Sequence, residues 1–497
     1  MKKNKTEEPG GFSSFLKFML TGENKYQLLV FLAAYIVIYF ILISMYPYPA
    51  GISDSGSYVR AAADNTPDTY RPFGYSKFLI GIHGISSSIH FLVFIQFFIN
   101  AVCTLILLFT IKYLFPVKRK FVFYLFALLA IVSPLILYLS NSVLSDSLFT
   151  SLTMLWIAAG IWMVYCTGYS EKIISFLVHA LLLYFLINIR YTGLVYVAVS
   201  VLIVFFSFDR KKIWIPASLI IILLLMLYLI YNKQKSRTYD LVHVDTFSGF
   251  SGWQKASNAM NCVPYVDINL AQIRDKKVRE FTRFTLQFDT LLIMNSKPSA
   301  KYLWDNRLPL KQYCIHEAQR TQTPYIFQWN YLGANVYGKF GSYIMRKYPF
   351  AFARHYFLPN CRLIFYPVDD QVVKVFRTDW IPRDLLNSWF EFGPDEKLYN
   401  KSKLYEKMFF LIPIFRSLLW SLLLVCIIMV FVKRKQIAWK THQWTAFLLI
   451  LAFVLIYYAF SAYAGPFELR YTGPVHLAII SFIYIALNDI DFNPKKK

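Results

Sequence analysis

Charge is scarce in this chain, and most of what there is has one sign. Asp and Glu number 28 against 52 Lys and Arg, and charged residues fill only 16% of the 497 positions. A soluble chain of this length carries nearer ~25%. The six cysteines include no Cys-x-x-Cys pair, so nothing supports a dithiol motif, and no ligand spacing supports a zinc site. Cys103, Cys166 and Cys426 sit in or beside apolar runs. Cys262, Cys314 and Cys361 share one polar region, where three thiols admit at most one bridge. Internal repeats and low-complexity tracts are absent too, which argues against the repeated halves usual in secondary transporters. A cleavable signal is not expected, because the first apolar run is too long and no small-residue cleavage site follows it.

Apolar length is what the chain has in abundance. Hydrophobic residues make up 57% and aromatics 19%. Runs of ~20 apolar residues recur, each long enough to cross a ~30 Å hydrocarbon core. Ten spans are expected, at 26–46, 89–113, 121–139, 143–165, 173–188, 190–208, 213–231, 409–432, 443–463 and 471–488. The fold class is therefore an all-α polytopic membrane protein of about ten transmembrane helices with a mixed extracytoplasmic domain. Three blocks follow: a transmembrane module 1–231 carrying the outer loop 47–88, an extracytoplasmic domain 232–408, and C-terminal transmembrane helices 409–497. The stretch 173–208 reads either as a hairpin with Arg190 at its apex or as one broken helix.

A net charge of +24 suits nucleic acid, but its distribution does not. Lys118-Arg119-Lys120, Arg210-Lys211-Lys212, Lys433-Arg434-Lys435 and Lys495-Lys496-Lys497 sit in short turns or at the tail. With the Lys-rich N-terminus in the cytoplasm, every one of these runs falls on the cytoplasmic side, as the positive-inside rule requires. The expected location is the inner (plasma) membrane, with 47–88, 232–408 and 464–470 outside and no nucleic-acid partner. Residues 53–65 read as a short helix lying on the membrane. Segment 343–358 mixes aromatics with Arg346, Lys347, Arg354 and His355 and reads as an interfacial amphipathic stretch.

Polar features gather on the expected outer face. Asp54-Ser55-Gly56-Ser57-Tyr58 and Tyr70-Arg71-Pro72-Phe73-Gly74-Tyr75 follow the first span. Asp146 opens the fourth, Arg190 marks the apex at 188–191, and Glu468 and Arg470 stand at the mouth of the last. Ionisable groups embedded at span ends are expensive and mark functional sites by default. Each also has a structural reading. Asp54 and Asp146 suit helix caps, and Asp146 suits a bridge to Arg190. Arg71 and Arg470 suit snorkelling to headgroups, and Tyr58, Tyr70 and Tyr75 suit interface anchors. Lys77 reads as a surface anchor, and His83, His90 and His179 as structural.

In order along the chain, these motifs resemble the GT-C glycosyltransferases, specifically bacterial relatives of protein O-mannosyltransferases and of the aminoarabinose transferases of lipid A. The resemblance rests on the acid and Arg-Pro-Phe-Gly-Tyr after span one, on 139–146, on Ile189-Arg190-Tyr191-Thr192-Gly193, and on Glu468-Leu469-Arg470-Tyr471 with Pro474. It covers 26–231, returns at 409–488, and is loose over 232–408. It implies a sugar passed from a polyprenyl-phosphate carrier to a protein, lipid or polysaccharide acceptor outside the cytoplasm, with inversion. It implies Asp54 as the general base and Asp146 as a second catalytic acid. Arg71, Arg190 and Arg470 would hold carrier phosphate; by their own chemistry Tyr58, Tyr70 and Tyr75 also suit stacking on the sugar or shaping its pocket, with Glu468 beside the substrate. Many such enzymes carry two adjacent acids in the first loop, whereas Ser53 and Ser55 flank a lone Asp54 here. A divalent metal therefore lacks its paired acid, and arginine forks on the phosphate make it optional. The alternative from another class is a transporter or flippase of a lipid-linked or anionic solute.

Overall fold

A computed structural model describes residues 11–51, 53–68, 70–209, 212–242, 246–288, 301–365, 381–393, 411–434 and 442–489. Within them the chain is helical, and the one strand-like contact is an isolated parallel bridge between Ala50 and Ser142. Nine helices among the described residues are long and apolar enough to cross a membrane: Gly22–Met45, Ile89–Leu114, Lys120–Ser140, Ser145–Tyr165, Tyr169–Ile189, Trp214–Lys233, Leu411–Val432, Trp444–Ala464 and Leu469–Asn488. A tenth, Tyr191–Ser207, is apolar but shorter. These match the expected spans to within a few residues, and the all-α polytopic class holds.

Two local features shape the bundle. The third span breaks into Lys120–Ile131 and Pro134–Ser140, because Pro134 has no N–H to continue the ladder but suits a helix start. The stretch 173–208 is a hairpin. His179 Nε2 lies 2.9 Å from Ser200 Oγ, and Lys172 donates to the Ser207 carbonyl at 2.5 Å, both pairs symmetric about the Ile189–Arg190 peptide. The reversal needs Gly193, where a Cβ would fall 2.8 Å from the Ile187 nitrogen.

The centre of the bundle is Ser145–Tyr165 with the last span, each 89% buried over its apolar window, whereas Gly22–Met45 is only 17% buried and faces outward. Small residues at Ser147, Ser151, Ala158, Ala159 and Gly160 let neighbours approach the central helix closely. Helix Phe12–Leu20, which no apolar run announced, packs Phe15 against Trp162 and Tyr113 at the opposite end of the bundle. At that end Lys112 donates to Asn24 at 2.6 Å, Lys120 pairs with Glu23 at 3.8 Å, and Arg119 donates to the Leu487 carbonyl at 3.0 Å. Residues 210–211, 435 and 495–497 of the basic runs lie outside the described residues.

The described residues of region 232–408 are built from helices and short turns. Buried apolar residues recur at helical spacing, as in Trp253, Ala256 and Met260 or Tyr337, Phe340 and Ile344, and close a separate core. Trp253 and Trp329 stack within it at 4.9 Å. Segment 343–358 is a bent helical run broken at Pro349. It buries Ile344, Phe352 and Tyr356 in this core while Phe350 stays exposed. The short helix after the first span runs Ser53–Ala63.

The alternation of spans makes a topological prediction. In a Cys361→Ser background, Lys276→Cys should react with an impermeant maleimide added outside intact cells, and Lys120→Cys only after permeabilisation. The opposite pattern would invert the bundle.

Candidate functional site

The site is assembled by backbone contacts from four distant segments. Ala50 donates to the Asn141 carbonyl at 2.9 Å and accepts from Val143 N–H at 3.0 Å, pinning the chain before Asp54 to the corner that enters Ser145–Tyr165. Gly74 brings the first loop against the end of Tyr169–Ile189, since a Cβ there would lie 2.4 Å from the Asn188 carbonyl. Two asparagines fix the turn before the last span. Asn360 donates to the Ala462 and Gly465 carbonyls at 2.6 and 2.7 Å and accepts from Phe467 N–H at 2.8 Å. Asn258 donates to the Tyr463 and Ala464 carbonyls at 3.0 and 3.2 Å. Region 232–408 thus holds the segment that carries Glu468 and Arg470, and Tyr70 ties the first loop to the same core beside Phe250, Trp304 and Trp329.

Three arginines and three acids meet where these segments converge. Arg71 Nη2 lies 2.5 Å from Asp54 Oδ1, and Arg470 Nη1 lies 2.7 Å from Asp54 Oδ2. Arg470 Nε reaches Glu468 Oε2 at 2.5 Å, and its Nη1 stands 3.7 Å from Asp146 Oδ2. Arg190 Nη1 pairs with that same Asp146 oxygen at 2.5 Å and donates to Ser145 Oγ at 3.1 Å. The charges cancel within the network. Its members are mostly shielded, from Asp146 at 4% side-chain exposure to Glu468 at 24%.

Tyrosines frame this network. Tyr58 OH lies 2.8 Å from Ser145 Oγ, and its ring meets Tyr75 edge-on at 5.0 Å. Tyr75 is fully buried and donates to Gln96 at 2.8 Å, so it supports Tyr58 from behind. Gln96 donates in turn to the Ser142 carbonyl at 2.9 Å, locking the corner. The Arg71 guanidinium lies over Tyr58 and Tyr70 at 4.9 and 4.8 Å, and Arg190 and Arg470 lie over Tyr471 at 5.4 and 5.3 Å.

All eight site residues expected from sequence, Asp54, Tyr58, Arg71, Tyr75, Asp146, Arg190, Glu468 and Arg470, therefore belong to one connected cluster. Capping does not account for Asp54, whose two carboxylate oxygens both face guanidiniums. Nor are Arg71 and Arg470 splayed toward headgroups, because both are turned inward onto acids. Ser145, Gln96, Asn258 and Asn360 were missed, since a single Ser, Gln or Asn in an apolar stretch gives no periodic signal. Lys77 donates to Asn65 at 2.8 Å, and His179 is a buried bridge between helices. His83 stacks on Trp389 at 3.9 Å.

Burial alone would raise the Asp54 pKa, but the charges and hydrogen bonds of Arg71 and Arg470 outweigh it and hold the carboxyl far below the ordinary carboxylate range. A depressed folded pKa contributes stability that is complete above the unfolded value near ~4 and is lost as pH falls through the folded one. The melting-temperature gap between wild type and Asp54→Asn should therefore stay constant from about pH 8 to about pH 6 and shrink below about pH 4. A gap that widens on acidification would show that Asp54 gains nothing from the arginines.

The residues present do not fit a divalent cation. Among the described residues no group of three or more His, Cys, Asp or Glu side chains is arranged to hold one, and the acids here face fixed positive charges. The fold and the site together define a polytopic all-α membrane protein with a shielded, charge-balanced Arg–Asp network at one end of its bundle. Comparison with known proteins finds no matching family model, no matching curated relative and no matching solved structure.

Proposed function

We propose that this chain is a GT-C-like integral membrane glycosyltransferase that moves a sugar from a polyprenyl-phosphate carrier to an acceptor hydroxyl outside the cytoplasm. One observation carries the reading: the Asp54 carboxylate lies between Arg71 and Arg470, on two guanidiniums suited to a phosphate. In the resting network Asp54 is a poor base, because the arginines hold its proton affinity far below neutrality. Carrier phosphate exchanges for the carboxylate on those guanidiniums. Asp54 then regains basicity, so donor binding itself arms the base.

The transfer step balances without a further reactant. The acceptor oxygen bonds to the anomeric carbon while its proton passes to Asp54. The bond from that carbon to the phosphate oxygen breaks, and its electron pair leaves on the phosphate. Attack opposite the leaving group inverts the centre. Arg71 and Arg470 hold the charge that the phosphate retains, Glu468 orients Arg470, and Asp146 with Arg190 and Ser145 sets the position of Tyr58 beside the sugar.

Membranes carrying the protein, given a panel of polyprenyl-phosphate sugars, should release free carrier from at least one donor together with a glycosylated product. Release from none would reject the reading. With a responsive donor, Arg71→Ala should raise KM about tenfold or more, and Arg71→Lys should restore only part of this, because Lys supplies a point charge and not a fork. Unchanged donor kinetics in both variants would make Arg71 a structural partner of Asp54 alone.

A further inference from the structure

A second polar cluster lies inside the bundle and takes no part in the ion network. Arg416 stands in the second turn of the span Leu411–Val432 and is 2% exposed. Its Nη2 reaches the Leu363 carbonyl at a long 3.4 Å, while Nε and Nη1 have no hydrogen-bond partner. Among the described residues no carboxylate lies within ion-pair distance of it. His476, in the first turn of Gly473–Asp489, is 1% exposed with both ring nitrogens unpartnered. The hydroxyls of Tyr458 and Ser461, three residues apart on Trp444–Ala464, are buried and unpartnered as well.

These groups are neighbours. Phe467 links them, its ring 5.9 Å from the Arg416 guanidinium and 6.0 Å from the Tyr458 ring, and Phe415 lies 6.3 Å from the His476 ring. Each lies within about two turns of the site end of its helix. Ile414 and Leu418, beside Arg416, are exposed on the outside of the bundle, so this span meets lipid.

An unpaired guanidinium at membrane depth is among the most costly groups a bundle can carry, and it persists where a counter-charge repays it. The donors outnumber what a carboxylate can take: two Arg416 nitrogens, one imidazole N–H and two hydroxyls are buried without partners, and among the described residues no acid pairs with Arg416. A tetrahedral oxyanion offers the larger set of acceptors. We propose that Arg416, His476, Tyr458 and Ser461 form a second oxyanion site that takes a phosphate group, carried by a lipid of the adjacent leaflet or free in solution. The inference stands apart from the transferase reading, because binding is measurable without turnover.

The test uses the full chain in phosphate-free maltoside detergent, titrated with phosphatidylglycerol and followed by native mass spectrometry. Wild type should retain the lipid, Arg416→Met should bind it at least tenfold more weakly, and Lys77→Ala, outside both sites, should bind it as wild type does. Without lipid, Arg416→Met should melt no lower than wild type, because it removes a buried unpaired charge. His476→Phe, which keeps Arg416, should weaken binding about threefold or more and decides the matter if the Met variant does not fold. Competition by millimolar inorganic phosphate identifies the free ion as an occupant, and lack of competition identifies the lipid headgroup. Equal binding by wild type and both variants would overturn the proposal, as would an equal loss in Lys77→Ala. The transferase reading fails separately, if Arg71 and Arg470 variants keep donor kinetics.

Discussion

Asp54→Asn should lower sugar transfer about 10²-fold or more while the protein still inserts, folds and binds donor. Asn keeps the size of the side chain and caps a helix about as well as Asp, but it accepts no proton. The site geometry adds a sharper expectation. Asp54 occupies the Arg71 and Arg470 guanidiniums at 2.5 and 2.7 Å, so it competes with any phosphate for them. An uncharged Asn competes less, and donor affinity should hold or improve as turnover collapses. A purely structural Asp54 would instead lose binding and turnover together as the network loosens. Asp54→Glu should recover little, since a carboxylate displaced by about 1 Å can itself cost ~10²-fold. Near-wild-type transfer by a normally expressed Asp54→Asn would remove the base assignment.

Arg470→Ala should have the largest combined effect on stability and function. Arg470 touches Asp54 at 2.7 Å, Glu468 at 2.5 Å and Asp146 at 3.7 Å, from a side chain only 15% exposed. Without it three acids face two arginines. Removing one partner of such a shielded set costs about 3–5 kcal/mol, because the remaining charge stays buried. The melting temperature should fall by several degrees and donor binding should be lost. Arg470→Lys separates the two consequences: a point charge should restore most of the stability, while donor affinity stays about tenfold or more below wild type. If Lys restores both, the fork has no special part in holding phosphate.

The spans were legible because a bilayer sets their length and apolar content, and both can be read directly from residue order. The hairpin at 173–208 was not, since Arg190 suits either an apex or a kink. Its pairing of His179 with Ser200 and of Lys172 with Ser207 is a tertiary fact. Region 232–408 hid its fold for another reason: its aromatics pack into a second core from many short helices, each too short to show a strong period. In the site, lone acids and arginines in an apolar chain announced themselves, and so did the Asp146–Arg190 pair, but the pairing of Asp54 with two arginines did not. Asp54 meets Arg71 from 17 residues away and Arg470 from 416 residues away, separations that no motif encodes. Asn258 and Asn360 act through backbone carbonyls, so their side-chain chemistry gave no advance sign, and Tyr75, expected about the substrate, acts behind Tyr58. Arg416 was passed over because one charge near the end of a span is easily read as snorkelling, whereas the fold buries it.

Exchange of phosphate for Asp54 on Arg71 and Arg470, followed by cleavage of the sugar–phosphate bond, is the central claim, and a transporter would make no such cut. The most direct measurement follows a doubly labelled polyprenyl-phosphate sugar in proteoliposomes containing the purified protein, with and without acceptor. Free polyprenyl phosphate should appear one-for-one with glycosylated acceptor, only when acceptor is supplied, and not with Asp54→Asn. Donor that crosses the bilayer with its sugar–phosphate bond intact, at the same rate in wild type and Asp54→Asn, would contradict the account.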